Sequence, residues 1–449
     1  MRTVQPHTRH LRRELAAASE AIAERLAAAG HRTWIVGGAV RDLALGRRVT
    51  EVDLCTSALP DEIEACFDQT VGVGKAFGTV VVVVEGANYE VTTFRSERGY
   101  SDGRHPDEVT FGATPEEDAE RRDFTINALF LDPLTQAVLD PMGGLADLAE
   151  RRLRAIGEPR ERFREDALRL LRLARFAARL DFEVDPATHA AAAAERAGIA
   201  RVSVERIHGE LTRILVAPRA HDALRLLDEL GVLDPALPGW AALHGAHLDD
   251  AEAKALRFEA LEWLESSHAA SGLALLFDPL GAPEAAAAAQ LERLRPSKAE
   301  LAEVRALWAC LDALEDLWPL EDSEVRRGPD RAARLRILAD PAWPRARDLA
   351  ASFGDARAPE RRATDGEDEA EHPDGHLGQM ARELTEFAHG LAPEEIAPEP
   401  LLAAKDLIAV GVAPGPELGQ LLADAYELQL QGELRDAQAA RAWAVDRMA

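Results

Sequence analysis

From Leu11 to Ala29 leucine and isoleucine recur at helical spacing and the run stops at Gly30, which predicts an amphipathic helix closed by a glycine. Thr33 to Val36 (TWIV) reads as a strand, Gly37-Gly38 as a turn, Ala39 to Leu45 as a short helix and Val52 to Cys55 as a second strand. Pro60 opens another helix through Phe67. Thr79 to Val84, a turn at Gly86-Ala87-Asn88 and Tyr89 to Phe94 predict a β-hairpin. Polar, glycine-containing Ser96 to Asp107 reads as an exposed loop. From Glu116 the spacing is helical, broken by a strand pair near Leu131 to Leu139, and from Arg160 it is almost continuously so, with Leu168, Leu171, Ala174 and Phe176 in register. Gly354 to Gly378 lacks periodicity and is rich in Asp, Glu, Pro and Gly, which predicts a disordered linker or extended loop before a last helical unit from Met380 to Arg447. The fold class is therefore α+β, a small mixed sheet with helices followed by helical domains.

Composition narrows the function classes. The chain has 449 residues, enough for roughly three domains of ~150 residues, and 47% of them are hydrophobic and dispersed, which excludes a wholly disordered chain. The longest apolar runs, such as Val80 to Val84, fall far short of the roughly 18 residues that span a bilayer, and the N-terminal pattern lacks a leader's apolar core. No membrane association and a cytoplasmic location are expected. Cys55, Cys66 and Cys310 show no CxxC pairing or zinc-ligand spacing and read as buried filler. His221-Asp222, lying in a helical run without further ligand-spaced His or Asp, reads as structural. A net charge of −27 argues against indiscriminate nucleic-acid binding, because an acidic surface repels phosphate. The charge is uneven, however. Arg151 to Arg213 holds 14 Arg and no Lys against 10 acidic residues, whereas Ala241 to Ala449 holds 21 basic and 40 acidic ones, so a local basic strip remains for one shaped polyanion.

Four segments could carry chemistry. In Gly37-Gly38-Ala39-Val40-Arg41-Asp42, between a strand and a helix, the glycines allow close approach of a ligand and Arg41 can fork onto a phosphate, which suits a nucleoside triphosphate. A plain tight turn with Arg41 paired to Asp42 is the alternative. In Glu51-Val52-Asp53, positions i and i+2 of a strand share a face, so two carboxylates can hold a divalent cation, with Glu90 of the hairpin as a third group. A solvated strand face would look the same. Arg121-Arg122-Asp123-Phe124-Thr125-Ile126-Asn127-Ala128 is the third segment. In the fourth, Asp166, Arg169, Arg172 and Arg175 lie three apart and trace one drifting helix face that can read base edges, or else an exposed ion-paired face.

In this order the segments resemble the class II tRNA nucleotidyltransferase and bacterial poly(A) polymerase family, most closely its CCA-adding members. The resemblance rests on GGAVRD, EVDLCTSALP, YEVTTFR, RRDFTINAL, Asp140-Pro141-Met142-Gly143-Gly144 with Asp147, REDALRLLRLARF, and Ser203-Val204-Glu205-Arg206-Ile207. Lys405-Asp406-Leu407, Gly411 and Pro414-Gly415-Pro416 extend it, and it weakens between about Trp240 and Met380. It implies a catalytic head over residues 1–150, a helical neck over 151–217, a body over 218–350, an acidic linker over 351–378 and a tRNA-binding tail over 379–449. It also implies that Gly38 and Arg41, next to Gly37, hold the triphosphate, Arg122, Asp123 and Asn127 the ribose or phosphate, and Asp166, Arg169, Arg172 and Arg175 the base. The segment from Asp140 to Asp147 would be a hinge.

The activity implied is addition of C, C and A to the acceptor end of tRNA from CTP and ATP. The 3′-hydroxyl attacks the α-phosphorus with two Mg²⁺ held by Glu51 and Asp53, assisted by Glu90, and pyrophosphate leaves. Alternatives are A addition alone, C addition alone, polyadenylation, or a tRNA-binding relic. Arg95 to Pro106 resembles the flexible loop of CCA-adding and A-adding members, and Val73 to Val84 is closer to CCA-adding members than to poly(A) polymerases. Glu51 stands where the family has aspartate, and a displacement of about 1 Å can cost around 10²-fold in rate.

Overall fold

The computed structural model describes residues 11–72, 74–99, 108–246, 248–264, 268–278, 282–317, 330–356 and 375–448. The chain divides into two compact units, Met1–Pro238 and Gly239–Ala449.

The first unit begins with α1 (Arg13–Ala28), whose Ile22 and Leu26 are completely buried. A seven-stranded sheet follows, in the order β3-β4-β5-β2-β1-β8-β9. Its strands are β1 (Thr33–Val36), β2 (Asp53–Thr56), β3 (Thr70–Val71), β4 (Thr79–Val84), β5 (Ala87–Thr93), β8 (Phe130–Leu131) and β9 (Val138–Leu139). Alternation along the strands decides one face of the core, where Trp34, Val36 and Cys55 pack with Phe94, Ala128 and Phe130. Burial pushes the Cys55 thiol up to about 12, so it is inert filler. The hairpin turns more tightly than its sequence suggests. Val84 already pairs with Ala87, leaving Glu85-Gly86, both at positive φ, as a two-residue turn of the kind that matches strand twist.

Two further expectations are corrected. Ser96 to Arg98 is not loop but part of β6 (Arg95–Arg98), which pairs with β7 (Glu108–Phe111); residues 100–107 of the expected loop lie outside the described residues. The β2 ladder begins only at Asp53, so Glu51 precedes the strand and the shared-face argument does not hold for it.

Around the sheet lie α2 (Gly38–Ala44), α3 (Pro60–Cys66), α4 (Pro115–Glu120) and α5 (Gly144–Glu150). Asp140 accepts from the backbone N–H groups of Gly144 and Leu145 at 2.7 and 2.9 Å, and buried Asp147 accepts from Thr125 Oγ1 and from Arg154. This expected hinge segment is thus stitched onto the RRDFTINAL stretch. A Cβ on Gly144 would lie 2.3 Å from the Thr125 carbonyl oxygen, a backbone atom that has nowhere to go. Gly144→Ala is expected to lower stability by about 2–3 kcal/mol through this overpacking, read as an earlier denaturation midpoint with an unchanged slope.

The helical part of this unit comprises α6 (Pro159–Glu165), α7 (Arg169–Leu180), α8 (Pro186–Glu195), α9 (Val204–Leu215), α10 (Ala220–Glu229) and α11 (Leu233–Ala236). α7 is buried on nearly every side. His221 and Asp222 sit at the start of α10, where Asp222 accepts from Arg219.

Among its described residues the second unit contains helices and no strand. Fully buried Arg257 lies 5.3 Å from the Trp240 ring and donates to the Leu243 and Asp278 carbonyls, which offsets part of the cost of burying its charge. The ends of the expected linker are ordered: Gly354 lies in helix Trp343–Ala356 and packs against Gly378 of helix Gly375–Ala388, while 357–374 lie outside the described residues. Leu402, Leu407, Val412, Leu418 and Leu421 belong to a separate C-terminal apolar cluster.

Candidate functional site

The strand register brings the carboxylates to one end of the sheet. Val36 pairs with Asp53, so Gly37 leaves β1 beside the first residue of β2. Leu54 pairs with Val91 in the parallel β2–β5 ladder, which sets Glu90 one position before that pair, next to Asp53. Asp53 is accessible to solvent, yet partial desolvation, then the Glu51 carboxylate, then that of Glu90, raise its pKa above the usual carboxylate value. Glu51, although it precedes the β2 ladder, is thus near enough for its charge to act on Asp53. Among the described residues, no group of three or more His, Cys, Asp or Glu is arranged to hold a metal ion. The donors around Asp53 are all hard oxygens, however, and their mutual repulsion is what a cation would relieve; a small divalent ion bound through one or two carboxylates and substrate phosphates suits them.

The remaining predicted residues form one continuous network. Arg41 is buried and donates both to Asp42, at 2.8 Å, and to the Asn127 side-chain oxygen, at 2.7 Å. The plain-turn pairing and the link to a second motif thus coexist in one side chain. Asn127 Nδ2 donates to Asp123 at 3.0 Å, and Asp123 accepts two bonds from Arg172 at 2.8 and 2.5 Å. Burial pushes the Asp123 carboxyl up, but Arg172, Asn127 and more distant Arg169 hold it down at about 2. Arg122 donates to Asp118 and to the Asn127 carbonyl, and its Nη1 would lie 3.1 Å from a Cβ on Gly37, whose φ is +66°. Only glycine suits that position, by conformation and by space.

The arginine helix differs from its expected form. Asp166 is not helical: its backbone is extended between α6 and α7, and its carboxylate accepts from the Leu168 N–H and from Arg206 at 2.7 Å. Arg169 and Arg175 are buried, Arg169 on Glu165 and two carbonyls, Arg175 on Glu210. The exposed-face alternative is excluded because these side chains bond inward, to the RRDFTINAL segment and to α9. The structure thus joins Gly37, Arg41, Arg122, Asp123, Asn127, Arg169 and Arg172, and leaves Asp166 tied to Arg206.

Asp118 and Glu210 belong to this network and were not among the residues predicted from the sequence. Asp118 is fully buried, three and four residues before the arginines it holds; burial pushes its carboxyl up but Arg121 and Arg122 draw it down. That spacing on a short helix was the available signal. Glu210 shares the face of buried Ile207, Leu211 and Ile214, and a carboxylate on an apolar face announces a buried cation.

Residues 33–154 match the poly(A) polymerase head domain, and residues 181–243 a probable RNA- and SrmB-binding site of polymerase A. The crystal structure of the Bacillus stearothermophilus CCA-adding enzyme in complex with CTP superposes with a TM-score of 0.70 and 30% identity, covering 96% of this chain and 98% of that one. The chain belongs to the class II tRNA nucleotidyltransferase and poly(A) polymerase family. Curated relatives include the CCA-adding enzymes of Geobacillus thermodenitrificans, 49% identical over 212 residues (47% of this chain, 52% of the relative), and Geobacillus stearothermophilus, 46% identical over 220 residues (49% and 54%). The alignment spans about half the length of these relatives. Membership of this nucleotidyltransferase family implies use of a divalent metal, and among the described residues no helix is long and apolar enough to cross a membrane.

Proposed function

We propose that the protein is a CCA tRNA nucleotidyltransferase, adding C, C and A to the tRNA acceptor end from CTP and ATP. The observation that carries this reading is the bonded chain Arg41–Asn127–Asp123–Arg172, which joins the three motifs beside a crowded carboxylate cluster. The proposed parts are a head over 1–150, a neck over 151–217, a body over 218–350, an acidic linker over 351–378 and a tail over 379–449. A cytoplasmic location goes with this reading.

In the mechanism, Glu51 and Asp53 would hold Mg²⁺, with Glu90 adding negative charge beside them. When bound, the metal supplies a lowered pKa at the attacking hydroxyl and charge compensation on the phosphates. The chain's own residues do the rest. Arg41, Arg122 and the Gly37-Gly38 backbone receive the triphosphate, and Asp123 and Asn127 fix the direction of Arg41 and Arg172. Asp166, Arg169, Arg172 and Arg175 select the base, so the protein serves as its own template. Glu51 precedes the β2 ladder, and a segment outside a ladder can absorb the extra methylene that aspartate lacks.

The test is nucleotide incorporation with Mg²⁺ on tRNA transcripts ending at the discriminator base, after C, or after CC, each with CTP, ATP or both. Completion of CCA on all three is expected. Addition of A to the CC-ending transcript alone would make the protein an A-adding enzyme. Untemplated A runs would make it a poly(A) polymerase, and no incorporation would leave a tRNA-binding protein with a disabled metal site.

A further inference from the structure

Three guanidiniums converge on one aromatic ring. The carbon centres of Arg41, Arg172 and Arg175 lie 5.2, 5.3 and 4.2 Å from the centroid of the Phe176 ring, which is itself only 5% exposed. Arg41 comes from α2 and the other two from α7. Phe124, from the RRDFTINAL stretch, closes the arrangement with an edge-on contact at 5.9 Å and 79°.

Like charges this close repel one another, and each has a separate polar partner: Asn127 and Asp42 for Arg41, Asp123 for Arg172, Glu210 for Arg175. What the three share is the ring. A guanidinium attracted to an aromatic face loses solvent on that face but keeps its in-plane N–H groups for hydrogen bonds, and Nη2 of Arg41 and Nη1 of Arg172 are the nitrogens that lie outside the pairs with Asp42, Asn127 and Asp123. A flat ring also limits the directions in which those N–H forks point. An aliphatic side chain of similar size would fill the space without providing either effect.

We propose that Phe176 is a positioning residue, an aromatic platform that aims the Arg41 fork toward the triphosphate and the Arg172 fork toward the base of one bound nucleotide. It rests on the nucleotide-binding reading above and adds a residue that touches no substrate. Because the platform acts on the ground-state fit of both ends of the nucleotide, its loss weakens binding more than turnover.

The test compares wild type with Phe176→Leu, Phe176→Met and Phe176→Tyr in steady-state addition of CTP and of ATP, with CTP binding measured separately by calorimetry. Phe176→Leu is expected to raise KM for both nucleotides about tenfold with kcat changed less than threefold, at an unchanged far-UV spectrum. Phe176→Met, which fills the site flexibly and serves if the leucine variant does not fold, is expected to behave likewise. Phe176→Tyr, which keeps the ring, is expected to restore KM to within about twofold. The inference is overturned if Leu or Met leaves KM unchanged, if kcat alone falls, or if Tyr is as impaired as Leu. Failure of wild type to bind CTP or ATP would instead overturn the functional reading itself, which the calorimetry detects before any variant is made.

Discussion

Replacing Asp53 by Asn is expected to reduce nucleotide addition by at least three orders of magnitude while CTP still binds. A divalent ion supplies several kcal/mol of charge stabilisation to phosphoryl transfer, and each 1.36 kcal/mol is tenfold in rate. Asn keeps the size of Asp53 but not the charge that would hold the cation. The arginines that receive the triphosphate bond to Asp42, Asn127 and Asp118 and not to Asp53, so nucleotide affinity without metal is expected to persist.

The same substitution has an opposite effect on stability. The Asp53 pKa is raised in the folded protein, so the native state binds more protons than the unfolded chain between the usual 3.8 and the raised value, and stability falls as pH rises through that window. The penalty is fully present at neutral pH, and Asn does not incur it. Asp53→Asn is thus expected to melt higher than wild type at pH 7 without metal, with the difference gone below pH 3.8. Added Mg²⁺ is expected to raise the wild-type Tm and leave that of the variant unmoved. Retention of turnover by Asp53→Asn would remove the carboxylate from the chemistry.

Asp123→Ala is expected to give the largest loss of stability, about 3 kcal/mol, because it leaves the half-buried Arg172 guanidinium without its carboxylate and frees Asn127 from its anchor. Removing the buried partner of such a pair leaves the other partly desolvated without compensation. In a domain of this size the loss corresponds to a fall in Tm of roughly 10 °C. Acid titration gives an independent check. With its pKa depressed to about 2, Asp123 contributes stability that is present above the usual carboxyl value of 3.8 and lost as pH falls through about 2. That portion is on the order of 2 kcal/mol, and Asp123→Asn, which keeps the shape, is expected to abolish the acid-dependent step between these pH values. A step that survives in Asp123→Asn would assign it to another carboxylate.

Part of the site was legible because its signals are local. Gly37-Gly38 sits between a strand and a helix, Glu51 and Asp53 are two residues apart, and the arginines of α7 recur every third position. The misreadings are equally local in cause. The i, i+2 rule placed Glu51 on a strand whose ladder begins two residues later. The three-residue spacing carried Asp166 into a helix that its extended backbone precedes. Phe176 fell into the apolar stripe of α7 and was counted as core. Its contact with Arg41 joins positions 135 residues apart, and no periodicity encodes that.

Alternation and helical spacing by themselves determined the order of the elements, the α+β class and the chemical identity of the candidate groups, because side-chain periodicity and residue chemistry are properties of short stretches. Tertiary structure alone decided that Arg41, Asn127, Asp123 and Arg172 form a single network, that α7 buries Arg169 and Arg175, and that Glu90 comes to lie beside Asp53. Burial and pairing between distant segments depend on strand register and helix packing. Those are set by the free energy of the whole core, and the same short motif on an exposed surface would carry neither a depressed Asp123 nor a raised Asp53.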